Sequence, residues 1–138
     1  MLITYDEKDL LSRSETLIRD EAGETLYRGI YDFSYKYRTR IYDARGEALA
    51  YVQLDITSDK PVVAFCDDAD RILGCLQQEE DHYCVMPQGW ILERRSDAAL
   101  IEGIMTAERD HAEIVRAEDL FQCILILFAL VEIGRKEE

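Results

Sequence analysis

The chain has 138 residues, 48% of them apolar, which matches one domain with a core of its own and excludes an intrinsically disordered chain. Lys plus Arg is 16 against 29 Asp plus Glu, a net charge of −13. That field repels phosphate backbones, so nucleic acid is not an expected partner, and it opposes broad attraction to an anionic membrane.

The first residues, Met1-Leu-Ile-Thr-Tyr5, read as an opening strand, with no basic region leading into an apolar one, so no secretory signal is expected. Four tetrapeptides then recur: Asp20-Glu-Ala-Gly23, Asp43-Ala-Arg-Gly46, Asp67-Asp-Ala-Asp70 and Met86-Pro-Gln-Gly89. Each suits a type I turn followed by a left-handed residue. Asp accepts hydrogen bonds at the first position, Pro87 presets φ in the fourth copy, and Gly supplies positive φ at the end. Asp70 replaces Gly in the third copy, as Asp visits that region more readily than most residues. Four such turns predict four β-hairpins. With a bulge at the fourth turn position, the expected facing pairs are Ile18 with Leu26, Ile41 with Leu49, Phe65 with Leu73 and Cys84 with Leu92. All are apolar, so one face of every hairpin points into a core. In this register Cys75 and Cys84 face inward and Cys66 faces out with Ile72.

Further weaker strands are expected over Ala99 to Thr106 and His111 to Val115. A helix follows from Ala117, with Glu118 and Asp119 favouring the positive end of its dipole and Gly134-Arg135-Lys136 stopping it. Its apolar core, Leu120 to Ile133, is interrupted only by Gln122 and Glu132; at 14 residues it is short of the roughly 20 that span a bilayer. The apolar positions surround the helix axis, and a helix apolar on all sides must be enclosed. The fold class expected is therefore mainly β in a single domain. An antiparallel hairpin-repeat barrel over about 1–116 wraps around one central hydrophobic helix over about 117–134.

This combination resembles the LURP-one-related family, relatives of the tubby C-terminal domain and the phospholipid scramblases. The residues that carry the resemblance are the hairpin Ile41-Tyr-Asp-Ala-Arg-Gly-Glu-Ala-Leu-Ala-Tyr-Val52 and the closing Glu118-Asp-Leu-Phe-Gln-Cys-Ile-Leu-Ile-Leu-Phe-Ala-Leu-Val-Glu-Ile133. The resemblance implies a β-barrel of about a dozen strands around a hydrophobic C-terminal helix. It also implies phosphoinositide headgroups as a conceivable ligand class, and it supplies no catalytic motif.

The leading ligand-site candidate is Ser34-Tyr-Lys-Tyr-Arg-Thr-Arg-Ile-Tyr42. Read as a strand, it places Lys36, Arg38 and Arg40 on one face, with Arg28 nearby, an arrangement suited to a phosphate or carboxylate. The competing reading is a solvated face whose cations meet carboxylates on adjacent strands. Asp67, Asp68 and Asp70 suggest a cation loop, but the repeat already accounts for Asp67 and Asp70. Cys75, His82 and Cys84 lack the short Cys pairs of structural zinc sites, so no metal or other cofactor is expected. His82 shares the face of Cys84 and suits a core position. It and His111 are the only histidines, and neither accompanies a nucleophile motif. Glu79-Glu80-Asp81 reads as an exposed loop. Trp90 is expected to pack across its hairpin on Met86.

These features favour a non-enzymatic cytoplasmic binding or interaction module, its cysteines reduced, whose ligand is a protein or a small anion. The alternatives are peripheral, weak binding of acidic phospholipid headgroups, and an enzyme using dispersed carboxylates.

Overall fold

Three of the predicted turns share one atomic plan in the computed structural model, which describes residues 1–12, 14–55, 57 and 59–136. Asp20 Oδ1 accepts from the backbone N–H groups of Ala22 and Glu24 at 2.9 and 3.0 Å. Asp43 does the same for Arg45 and Glu47, and Asp67 for Ala69 and Arg71, all at 2.9 Å. In each copy the fourth residue donates its N–H to the Asp carbonyl. That fourth residue has positive φ, at +83° for Gly23, +89° for Gly46 and +64° for Asp70. The local chemistry of the sequence thus builds the turn directly.

Those turns and the shorter ones after them fold the chain into twelve strands among the described residues. They are β1 (Leu2–Thr4), β2 (Thr16–Arg19), β3 (Thr25–Tyr31), β4 (Arg38–Asp43), β5 (Ala48–Asp55) and β6 (Val62–Asp67). There follow β7 (Ile72–Gln78), β8 (Tyr83–Met86), β9 (Trp90–Arg95), β10 (Ala98–Ile101), β11 (Met105–Ala107) and β12 (His111–Ile114). Each pairs antiparallel with its neighbours in sequence, and β1 closes on β12 through Leu2–Glu113, Ile3–Ala112 and Thr4–His111. The result is a closed barrel with no free edge.

A short helix, α1 (Glu7–Leu11), joins β1 to β2; it is N-capped by Asp6, whose side chain accepts from Lys8 and Asp9 N–H. A 3₁₀ turn, Ala117–Asp119, leads into α2 (Leu120–Lys136). The expected start at Ala117 therefore falls in the 3₁₀ turn. The expected stop at Gly134 does not occur, because Gly134 lacks the positive φ of a helix-terminating glycine and the helix runs on through Lys136.

Twelve strands spaced ~4.8 Å apart and tilted ~40° enclose a radius of about 12 Å. A helix with its side chains fills the inner ~5–6 Å, which leaves room for one layer of inward side chains from the wall. The burial pattern matches. Every residue from Cys123 to Ala129 is at most 6% exposed, so all sides of α2 are covered, as its apolar composition requires. Ile3, Ile18, Ile41, Val52, Phe65, Leu76, Val85, Leu92 and Ile114 of the wall, each fully buried, pack around it. Gly29 on β3 marks the closest approach of wall and helix. A Cβ there would lie 2.2 Å from Cζ of Phe128, so the missing side chain makes room for that ring. No helix among the described residues is long and apolar enough to cross a membrane.

The expected hairpin register is wrong by one residue in all four cases. Ile41 lies opposite Ala50, and Phe65 opposite Gly74, while Leu49 and Leu73 are the extra residues of β-bulges. Ile18 lies opposite Tyr27, again with a shift at the turn side. The fourth hairpin pairs Cys84 with Ile91 and Tyr83 with Leu92. Its turn also differs: the Met86–Pro87 bond is cis and Gly89 N–H donates to Val85, although Gly89 keeps its positive φ of +75°. The shift moves Cys75 and Cys84 to the outer face, opposite Met86 and Ile91 respectively, instead of inward. Trp90 is paired with Val85 and packs on the core, whereas Met86 is exposed. The segment Ala99 to Thr106 is a β10–β11 hairpin turned at Gly103, not one strand.

A meander has two rims. One carries the four repeat turns and the start of α2. The other carries α1, the connections after β3, β5, β7, β9 and β11, and the end of α2.

Candidate functional site

The predicted cationic stripe is only half a strand. Asp32 Oδ1 accepts the N–H of Ser34 at 3.0 Å, and the Asp32 carbonyl accepts that of Tyr35 at 3.1 Å, so the chain turns before β4 begins. Tyr37 completes the turn at φ +59°, its N–H donating to the Tyr31 hydroxyl at 3.1 Å. Lys36 therefore sits on this turn, exposed, and not in the strand row expected for it. Arg38 and Arg40 do share the outer face of β4, opposite Gln53 and Tyr51 of β5. Arg28 lies on the same face, opposite Tyr42.

The four cations have different surroundings. Arg28 donates to Glu15 at 2.8 Å, and Arg40 donates through Nε to Asp32 at 2.9 Å. Partial burial pushes the Asp32 carboxyl up, but the bonds from Arg40 and Ser34 and the charges of Arg40 and Arg38 outweigh it and hold the group below the usual Asp value. The same bond raises the Arg40 guanidinium. Those two cations are thus neutralised within the protein, as the solvated-face reading expects.

Arg38 is not. Its guanidinium carbon lies 3.6 Å from the Tyr35 ring centroid and 4.1 Å from that of Tyr51, and its Nε donates to Gln53 Oε1 at 2.6 Å. No carboxylate of the described residues lies within ion-pairing distance of Arg38 or of Lys36. Tyr51 is itself fixed, 6% exposed, with its hydroxyl donating to Asp70 at 2.7 Å. Burial and that bond push its pKa above the ordinary phenol value, so the ring stays neutral under the cation. Gln53 is anchored in turn by its amide donating to the Lys36 carbonyl at 2.7 Å. Two stacked rings and one amide hold the guanidinium flat, each ring worth ~0.5–2 kcal/mol in such contacts.

Exposed aromatic surface adjoins the neighbouring Arg40. Phe33 is 76% exposed and packs edge-on against Tyr31, with ring centroids 4.9 Å apart. With Ile30, Tyr31, Asp32, Arg40 and Tyr42 it lines a shallow depression of about 240 Å³. Tyr35, Tyr51, Gln53, Asp32 and Phe33 are neighbours of the cationic face that the cation count did not reveal. Only Asp32-Phe-Ser34, an Asp two residues before a Ser, hints at the turn that assembles them.

The remaining candidates have structural roles. Asp67 caps its turn, and Asp70 takes the positive-φ position while accepting from Tyr51. No cluster of metal-ligating side chains occurs among the described residues. The four cysteines are free thiols. His82 is half-buried in a loop rather than in the core, and its Nδ1 pairs with Asp81 at 2.7 Å; His111 is arranged alike with Asp110.

No protein-family model, curated protein or solved structure matches the chain.

Proposed function

We propose that this barrel is a non-enzymatic interaction module, working in the cytoplasm, that binds an acidic segment of a partner protein on the Arg38 face. One observation carries the reading: a pre-organised guanidinium, stacked on Tyr35 and Tyr51, has no carboxylate among the described residues although the chain holds 29 Asp and Glu. A planar cation held in one rotamer loses little entropy on meeting a carboxylate and offers it a two-pronged donor edge. Arg and Tyr beside an exposed aromatic such as Phe33 are the residue types that dominate protein interfaces. The long-range repulsion of an acidic partner decays within about 8 Å at physiological salt, so the local cation prevails at contact. The four free thiols support the reducing compartment. Kinship with the LURP-one-related family belongs to the same proposal, supported by a closed antiparallel wall around a hydrophobic C-terminal helix.

A fluorescently labelled library of acidic, aromatic-containing peptides, read by anisotropy, tests the proposal. Peptides that bind the parent are expected to lose roughly ten- to hundredfold in affinity with Arg38→Glu and little with Arg28→Glu. Equal binding by the Arg38→Glu protein refutes it. Sedimentation with phosphoinositide vesicles in place of peptide binding transfers the site to lipid headgroups.

A further inference from the structure

The rim opposite the Asp turns holds a cavity of about 330 Å³, independent of the Arg38 face. Its apolar wall comes from Leu127, Leu130 and Val131 on α2 and from Leu10 and Leu11 on α1. Leu11 is 57% exposed, and α1 buries none of its residues completely, so apolar surface is left uncovered here.

Arg94 overhangs that wall for a reason of register. On β9, Leu92 is fully buried against α2, and Arg94, two residues on, continues the same inward row. Its partner across the pair is Ala99, 5% exposed, which confirms the face. Arg94 is exposed at the barrel mouth, lines the cavity and has no ion pair among the described residues, so its guanidinium is open to an anion there. Two acids of the rim are engaged by a neighbouring cation. Arg109 holds Asp97 at 2.8 Å and Glu7 at 4.0 Å. Glu108, just past the end of β11, also lines the cavity.

We propose that this cavity binds a small carboxylic acid with an unbranched apolar tail, the tail lying against α2 and α1 and the carboxylate on Arg94. A single planar negative charge suits one guanidinium. A phosphate, with more charge, meets stronger repulsion from Glu7, Asp97 and Glu108, which also line the site. The volume is at the lower end of small-molecule sites, which favours a medium-length chain over a long one.

Titration calorimetry with hexanoate, octanoate and decanoate on the whole protein tests this. Affinity is expected to rise about fourfold per added methylene until the cavity is full. Arg94→Gln should weaken decanoate roughly ten- to hundredfold and leave decanol unchanged. Gly134 lines the cavity with nothing within 4 Å of an added Cβ, so Gly134→Leu is expected to fill the space, keep or raise the melting temperature and abolish binding of both compounds. Arg38→Glu should leave decanoate binding intact, which separates this site from the proposed interaction face. The inference is overturned if no member of the series binds, if decylamine binds as tightly as decanoate, or if a folded Arg94→Gln or Gly134→Leu protein binds like the parent.

Discussion

Gly29→Ala is a one-methyl change whose cost follows from the way the wall meets the helix. The new Cβ would lie 2.2 and 2.3 Å from Cζ and Cε1 of Phe128 and 3.0 Å from Cε2. Ordinary carbon contacts begin near ~3.5 Å, so the ring or the strand must retreat by more than ~1 Å. Phe128 is 3% exposed, on a helix enclosed on every side, and Gly29 is held between Thr16 and Ile41 of the adjacent strands. Overpacking of this kind costs ~1–3 kcal/mol, and the smaller backbone entropy of Ala returns ~0.5–1 kcal/mol. A net loss of about 1–2 kcal/mol is expected, or about 3–8 °C in Tm for a domain of this size. Urea and thermal unfolding measure it. In a double-mutant cycle, Phe128→Leu should relieve the clash, leaving the double variant at least ~1 kcal/mol more stable than the summed penalties. Gly134→Ala serves as the control: nothing lies near its added Cβ, and helix propensity alone should stabilise it by up to ~1 kcal/mol. A Gly29→Ala protein as stable as the parent, or penalties that add within ~0.5 kcal/mol, refutes the reasoning.

Asp43→Ala removes the acceptor of two turn N–H bonds and should lower the urea midpoint by the equivalent of ~1 kcal/mol with an unchanged m-value. Thr39→Val deletes the hydroxyl that donates to the fully buried Glu132 at 2.5 Å; a loss of ~1–3 kcal/mol is expected in thermal melts, and Thr39→Ser should restore most of it. Acid should act through Asp67. The backbone N–H of Arg71 first, then that of Ala69 and the Arg71 side chain, outweigh desolvation and hold its carboxyl below the usual Asp value. Its folded-state value is therefore lower than its unfolded one. The stabilisation is complete above about pH 4 and disappears as pH falls through the folded value. Urea midpoints measured from about pH 6 to about pH 2 should consequently fall more steeply for the parent than for Asp67→Asn.

The turns were legible because their chemistry is local: an Asp that accepts two N–H groups and a residue that tolerates positive φ lie within five positions of each other. The enclosure of α2 was legible because a segment apolar on all faces has no other stable place. Register was not, since both Leu17 and Ile18, and both Leu49 and Ala50, are compatible with an inward position, and a bulge decides between them. That one-residue slip also reversed the faces of Cys75 and Cys84. At the candidate site the residue types were legible and their partners were not. Glu15 reaches Arg28, and Asp32 reaches Arg40, only because strands bring them together. Arg94 was illegible for the same reason, as its inward direction depends on the β9–β10 register.

The enclosed helix follows every strand of its enclosure in the chain. During synthesis the hairpins emerge first, carrying apolar inner faces with nothing to condense on, and β1 must wait for β12 before the circle can shut. Closure is thereby deferred until α2 has been made and depends on contacts between residues far apart, a slow regime in which nascent chains are exposed to aggregation. Shortening the protein before Leu120 would remove no appendage; it would empty the centre of the core that the whole wall packs against.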